Sequence, residues 1–522
     1  MDVNYILVWF VGLSCLWNLV NALRGGRARR NWLYPTGTVL VLTVAAYFLA
    51  PGWAGYIALG LWLLLVLVPS RGFVRINRLA ANGEYAKALR TSRWVRLLHP
   101  FGDWAAYEAR LKAWELARQG RWTEQASLLQ QQFPQTAGRA VTLQSYQSRG
   151  DWEGARNWLE SFLSEEVILQ DPDLLQPYLR ALGETGDLEG MLRILSKYRR
   201  IIDSAPWAGQ AWMMILAFGG RRKALAHLLN SFGPTFPPNV RDLWLATAEL
   251  AAGNEAAGRS QLEPLQHNPQ VGASTRRRLA EGVARAEGLS AEALQSLEQL
   301  ETQITRELAY ARPVAPRRGA TYVTYGLVAA NVIVFVIELL LGVTQDPLVL
   351  IDMGALVPML VLAGEWWRIL APMFLHADLL HLAMNMFGLY VLGLVVEARL
   401  GWWRYSVLYL FSGLGANLVV IALTAAGILP EAFYIGASGC IMGIVGAEGA
   451  IALRFWRRGR SRLASRQLGA IAFFVVAQVL FNLATPGISL AAHLGGLAVG
   501  FLIASLFRLG ALESAETTLR ES

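Results

Sequence analysis

Ser438 stands in the stretch YIGASGCIMG, Tyr434 to Gly443, at the head of a long apolar run. A serine hydroxyl is a poor nucleophile until an adjacent base takes its proton, and a neutral imidazole can be that base. Of the six histidines in the chain, His376, His381 and His493 fall within or at the edge of apolar runs near the C-terminal end. Polar side chains are costly in such runs and mark functional positions. His493 is the candidate base for Ser438. In HLAMN, His381 and Asn385 are spaced i, i+4 and share a helical face. With the backbone N–H of Ser438 they supply donors for the oxyanion of a tetrahedral intermediate. His376 sits five residues before His381, where it would extend the polar face toward water. No carboxylate presents itself as a third member, so the pattern reads as a dyad. A metal reading fits poorly. HADLLH has i, i+5 spacing instead of the i, i+4 pair of a helical zinc motif, and no general-base Glu follows His376.

Six apolar runs carry these residues, roughly 321–343, 377–396, 405–427, 436–453, 468–484 and 489–507. Each approaches the length of about 20 residues that crosses a bilayer core. Arginines precede the first run and follow the second, fourth and sixth, which puts both ends of the set on the cytoplasmic side. Ser438 is then the third residue of its span counted from outside and His493 about the fifth of its own. At ~1.5 Å per residue, both lie roughly 5–8 Å below the outer helix ends. Gly439, Gly443 and Gly446 form one stripe after Ser438; Gly496 and Gly500 continue the face of His493. Small residues at this spacing let backbones approach closely in a membrane. The two stripes would bring Ser438 and His493 within hydrogen-bond reach.

Composition agrees with a membrane protein. The 522 residues are 54% hydrophobic and only 16% charged. Of the 47 basic residues behind the net charge of +9, 19 are arginines that flank apolar runs, so the charge reads as topology and not as a nucleic-acid surface. Cys15 and Cys440 both lie in apolar runs and offer no disulfide framework. Residues 5–22 form a retained span, since no basic n-region or cleavage site accompanies them. Residues 36–69, interrupted at Pro51 and Gly52, read as a tight hairpin; one long kinked span is the alternative. Between the two apolar regions, glycines at 83, 120, 150, 186, 220, 253 and 288 recur at a mean spacing of about 34 residues. That is the period of a tetratricopeptide-like α-solenoid, whose concave face would take a protein or peptide partner.

Taken in chain order, several motifs of the C-terminal region resemble those of the rhomboid intramembrane serine proteases. They are Trp367-Arg368 in the first outer loop, His376, His381 and Asn385, then Gly393, Glu397 and Gly401. Gly436-Ala437-Ser438-Gly439 and Ala492-His493 with Gly496 and Gly500 complete the set. The resemblance spans about 190 residues, from Thr321 to Arg508. It implies Ser438 as nucleophile, His493 as general base and acid, and an oxyanion hole from His381, Asn385 and the Ser438 N–H. Trp367, Arg368 and Glu397 would be supporting residues, with Glu397 and Arg368 bracing a helix end and the outer loop. The substrates it implies are transmembrane proteins cut near the outer ends of their helices, with no metal and no cofactor. Many relatives carry an aromatic residue four positions after the serine, stacked on the histidine; here Met442 stands there.

The expected architecture is all-α: a polytopic six-helix rhomboid bundle, a soluble tetratricopeptide-like solenoid and an N-terminal membrane anchor. The expected divisions are 1–70 for the anchor, 71–311 for the cytoplasmic repeats, 312–320 for a basic linker, 321–509 for the protease and 510–522 for a tail. The expected setting is a cell membrane, the inner or plasma membrane, crossed several times. The rival reading is an inactive rhomboid-like protein that binds or escorts membrane helices; its mark would be a lost serine or histidine, and both are present.

Overall fold

The computed structural model describes residues 3–24, 30–132, 142–143, 146–147, 150–170, 172–199, 202, 208–231, 236–268, 271–284, 288–311, 321–343, 346, 348–459, 461–485 and 488–507. The expected linker 312–320 and tail 510–522 lie outside them. Among the described residues there is no strand, only one isolated bridge between Leu356 and Tyr434. Seven helices among the described residues are long and apolar enough to cross a membrane, and the protein is a multi-pass membrane protein. Its contacts divide it into two compact units, residues 10–308 and residues 1–9 with 309–522.

In the first unit, most of α1 (Val3–Arg24) is followed by α2 (Leu33–Leu49) and α3, which runs through Ala54–Trp62, Leu63–Leu67 and Val68–Ala81. The chain turns at residues 50–53, and Val11, Cys15, Val39, Ala58 and Val66 pack into one cluster. The expected boundary at 70/71 falls inside α3. Pro69 lacks an N–H and its ring crowds the preceding turn, yet the helix continues because Leu63–Leu67 widens into a π-turn just before it.

A run of helices follows: α4 (Tyr85–Leu98), α5 (Trp104–Arg118), α6 (Trp122–Gln132), α7 (Trp152–Phe162), α8 (Pro172–Glu184), α9 (Leu188–Lys197), α10 (Ala208–Phe218), α11 (Arg222–Ser231), α12 (Pro238–Ala251), α13 (Glu255–Leu262), α14 (Gly272–Glu281) and α15 (Ala291–Ala311). Gly83, Gly120, Gly150, Gly186, Gly220 and Gly253 all have φ between 68° and 84°. The N–H of the residue after each glycine bonds back to the final turn of the preceding helix, as in Asp187 to Leu182 O at 2.9 Å. Asp151 and Asp187 then cap the next helix by accepting from Gly154 and Gly190. One apolar cluster runs from Leu143 to Leu308 through these helices. Arg278, 1% exposed, pairs with Glu184, 3% exposed, at 2.8 Å, beneath the rings of Phe218 and Trp244.

The second unit contains six apolar helices: α16 (Tyr322–Leu340), α17 (Leu379–Leu400, π-wound over Leu389–Gly393), α18 (Trp402–Ala425), α19 (Ser438–Gly459), α20 (Arg462–Ala484) and α21 (Leu490–Leu506). The connection from α16 to α17 folds into the short helices Val349–Asp352 and Pro358–Leu362 and two 3-10 turns. Helix α19 is the most buried of the long apolar helices. Its glycines permit this. A Cβ on Gly443 would stand 2.2 Å from the Ser412 side chain, and one on Gly446 would stand 2.1 Å from Leu497 O. Residues 3–9 of α1 belong to this unit; the Tyr5 hydroxyl donates to Ala484 O at 3.0 Å.

Candidate active site

The nucleophile candidate is positioned by a break in the backbone. Leu356 and Tyr434 exchange two hydrogen bonds of 2.9 Å, and Gly436 N–H donates to Pro372 O at 2.8 Å, so the segment entering α19 is pinned. Gly436 has φ +116°, a conformation that side chains resist, and helix α19 begins two residues later. Ser438 is therefore the first helical residue and not the third of its span, while His493 is the fourth residue of α21. The N–H groups of a first helical turn have no intrahelical acceptor.

The close approach of α19 and α21 sets the pair. A Cβ on Gly496 would lie 2.0 Å from Gly439 O, and one on Gly500 would lie 2.1 Å from Gly443 O. The backbones thus touch where glycine alone fits. His493 Nε2 and Ser438 Oγ are 2.8 Å apart, although 55 residues separate them in sequence. Ser438 is half-buried, whereas His493 is buried.

His381 and Asn385 project from α17 toward the same place. A Cβ built on Gly436 would meet His381 Nε2 at 2.8 Å and Asn385 Nδ2 at 3.5 Å. Asn385 is buried and its Nδ2 has no partner. An unpaired buried amide donor beside a serine suits an acceptor that arrives with a substrate. Asp378 caps α17 by accepting from His381 N–H at 2.7 Å, which fixes the start of the helix.

His376 departs from expectation. It is fully buried behind His381, with ring centroids 5.1 Å apart, and does not extend a polar face to water. Its backbone N–H donates to Glu338 of α16 at 2.9 Å and its Nδ1 faces Phe374 O at 3.2 Å, so it fastens the loop before α17. Sequence reading found no role for Glu338, because a loop amide 38 residues away leaves no local signal.

The remaining residues serve as braces. Glu397, fully buried, accepts from the N–H groups of Val323 and Thr324 and from the Thr324 hydroxyl, capping α16 from α17. Arg368 donates to Ile351 O at 2.5 Å and Ala355 O at 3.2 Å, bonds Glu365 at 2.6 Å, and lies over the Trp367 ring. Trp367 in turn fills the space at Gly354, where a Cβ would stand 2.0 Å away. Met442 is buried one turn after Ser438. Two further braces have no counterpart in the motif set. Arg399 and Glu448 pair at 2.7 Å between α17 and α19, and Arg454 donates to Phe507 O at 2.6 Å, closing the end of α21.

Helix α20 adds two residues that sequence reasoning missed. Asn482 Nδ2 lies 2.9 Å from His493 Nδ1, Gln478 Nε2 lies 3.3 Å from it, and Gln478 Nε2 donates to Asn482 Oδ1 at 2.8 Å. The available signal was two amides at i, i+4 inside an apolar run.

Fold and site together define an all-α polytopic membrane protein with a serine and a histidine in contact at the N-terminal ends of two helices. Residues 363–509 match the Rhomboid domain family. Similar curated proteins include RHOMBOID-like protein 6, mitochondrial, of Arabidopsis thaliana, 34% identical over 143 residues, covering 27% of this chain and 44% of that one. Rhomboid protease GluP of Bacillus subtilis (strain 168) is 30% identical over 194 residues, 37% of this chain and 36% of its own. Rhomboid protease AarA of Providencia stuartii is 29% identical over 214 residues, 37% of this chain and 74% of its own. The chain thus covers less than half the length of the first two.

Proposed function

We propose that this protein is an intramembrane serine endopeptidase that hydrolyses peptide bonds of transmembrane proteins through Ser438 and His493. The observation that carries the reading is the 2.8 Å contact of His493 Nε2 with Ser438 Oγ beside the unpaired Asn385 amide. In this mechanism the Ser438 hydroxyl adds to the scissile carbonyl while its proton passes to His493 Nε2. The oxyanion accepts from Asn385, His381 and the Ser438 N–H, which lies at a helix N-terminus where negative charge is favoured. His493 returns the proton to the leaving amine, and water repeats the sequence on the acyl-enzyme. All of this chemistry is supplied by side chains and backbone. Supporting positions are Gly436, Gly439, Gly496, Gly500, His376, Met442, Trp367, Arg368 and Glu397. Two of the three relatives named above bear the word protease in their names, which favours the same reading.

The substrate class follows from the setting: a membrane-spanning helix reaching the half-buried Ser438 from the bilayer. We assign residues 71–311 to a tetratricopeptide-like partner-binding region on the cytoplasmic side, on the evidence of the recurring glycine turns and the arginine distribution. The test of function uses a purified single-span substrate. Wild type cleaves it, while Ser438→Ala and His493→Ala do not; equal cleavage by either variant rejects the dyad.

A further inference from the structure

We propose that Asn482, held in place by Gln478, is a positioning residue that decides which nitrogen of His493 carries the proton. This inference rests on the serine-protease reading. Only a neutral imidazole with its proton on Nδ1 presents a lone pair at Nε2 to the Ser438 hydroxyl. The group facing Nδ1 therefore decides whether Ser438 has a base.

Asn482 faces it. The residue is buried on α20, and its amide nitrogen approaches His493 Nδ1 at 2.9 Å. In this orientation the amide donates, Nδ1 accepts, and the ring proton resides on Nε2, where it is given to Ser438 Oγ across 2.8 Å. That is an idle tautomer. A half-turn of the Asn482 amide about Cβ–Cγ exchanges nitrogen and oxygen within the same volume. Oδ1 then accepts from Nδ1–H, and Nε2 is free to receive the serine proton. A matching half-turn of Gln478 keeps the two amides bonded, now with Gln478 Oε1 accepting from Asn482 Nδ2. The exchange takes one proton up at Nδ1 and releases one from Nε2, with water as the carrier, so charge and atoms balance.

Two features argue against incidental packing. The neighbouring side chains Phe474, Val476, Leu480 and Leu483 are exposed and apolar, as suits a lipid-facing helix, whereas the two amides turn inward to one ring nitrogen. A buried amide in a membrane helix is retained where it has a partner that needs it. In addition, Met442 one turn after Ser438 presents no aromatic face, and the His493 ring has polar contacts with Ser438 on one nitrogen and this amide pair on the other.

The test reads the tautomer directly. Full-length protein labelled with 15N-histidine is examined by NMR, and the His493 signals are identified by their loss in His493→Gln. Asn482→Asp offers only acceptors and places the proton on Nδ1. Asn482→Leu offers nothing and leaves it on Nε2, facing Ser438. Identical His493 nitrogen signals in wild type and both variants overturn the proposal. Kinetics on a single-span substrate supply the second reading. Asn482→Leu lowers kcat roughly 10- to 100-fold, a part of what a general base contributes, with KM little changed. Asn482→Asp restores most of the loss. Wild-type kcat in Asn482→Leu also overturns the proposal. If the wild type itself cleaves nothing, the protease reading fails, and the NMR result alone decides the role of Asn482.

Discussion

Substituting one hydrogen at Gly496 tests whether the dyad depends on backbone contact between α19 and α21. In Gly496→Ala the new Cβ would stand 2.0 Å from Gly439 O, 2.8 Å from Gly439 C and 3.2 Å from Gly439 Cα. These are backbone atoms of the residue after Ser438, so no side chain can swing aside. Restoring an ordinary carbon–oxygen contact of about 3.4 Å parts the helices by roughly 1.4 Å. Ser438 and His493 begin 2.8 Å apart, so even partial separation carries them past hydrogen-bond range. A 1 Å misplacement costs about 100-fold in rate, and overpacking of this kind costs about 1–3 kcal/mol in stability. The assay is kcat/KM on a single-span substrate, alongside thermal unfolding in the same detergent. Gly449→Ala on the facing helix α19 is the control, since its Cβ meets nothing closer than 3.8 Å. If Gly496→Ala cleaves within twofold of wild type with unchanged unfolding temperature, close backbone approach does not set the site.

Gly436→Ala is expected to abolish measurable cleavage, because φ +116° is strained for alanine and its Cβ meets His381 Nε2 at 2.8 Å; near-normal turnover would show that this side of the site is pliant. Between α8 and α14, Glu184→Ala leaves buried Arg278 without its carboxylate and lowers stability by about 3–5 kcal/mol in denaturant titration; a change under about 1 kcal/mol would place that ion pair among the weak ones. Burial lowers the pKa of His99, whose ring lies among Trp32, Phe73 and Phe101 without a hydrogen-bond partner. The unfolded state then binds the proton first, so stability holds above about pH 6.5 and is lost as pH falls below it. His99→Phe should flatten that dependence, and an equally steep profile in the variant would assign it to other groups.

Much of this architecture is legible because membranes impose simple rules. Span length and glycine stripes are local patterns, and they locate α16 to α21, with the end of α19 and the start of α20 each six residues beyond the expected run. The meeting of Ser438 and His493 also follows from pattern, since two small-residue faces at matching depth have few ways to pack. Several features escape because they are set by distant partners. Nothing near Glu338 says that it receives the His376 amide, and nothing near Asn482 says that it faces His493 Nδ1. Helix α19 starts two residues inside the apolar run 436–453, and the positive φ at Gly436 that delays it is invisible in a run where glycine also serves packing. The expected boundary at 70/71 follows the fall in hydropathy, whereas α3 continues as one helix because its backbone hydrogen bonds are indifferent to the change from apolar to polar side chains.

The central claim, that His493 activates Ser438, is met most directly by a fluorophosphonate, which a nucleophilic serine attacks with loss of fluoride. Intact-mass and peptide analysis of the wild-type protein should find a single adduct on Ser438, and His493→Ala should remain unlabelled under the same conditions. Labelling of His493→Ala at the wild-type rate, or an adduct elsewhere with Ser438 untouched, would contradict it.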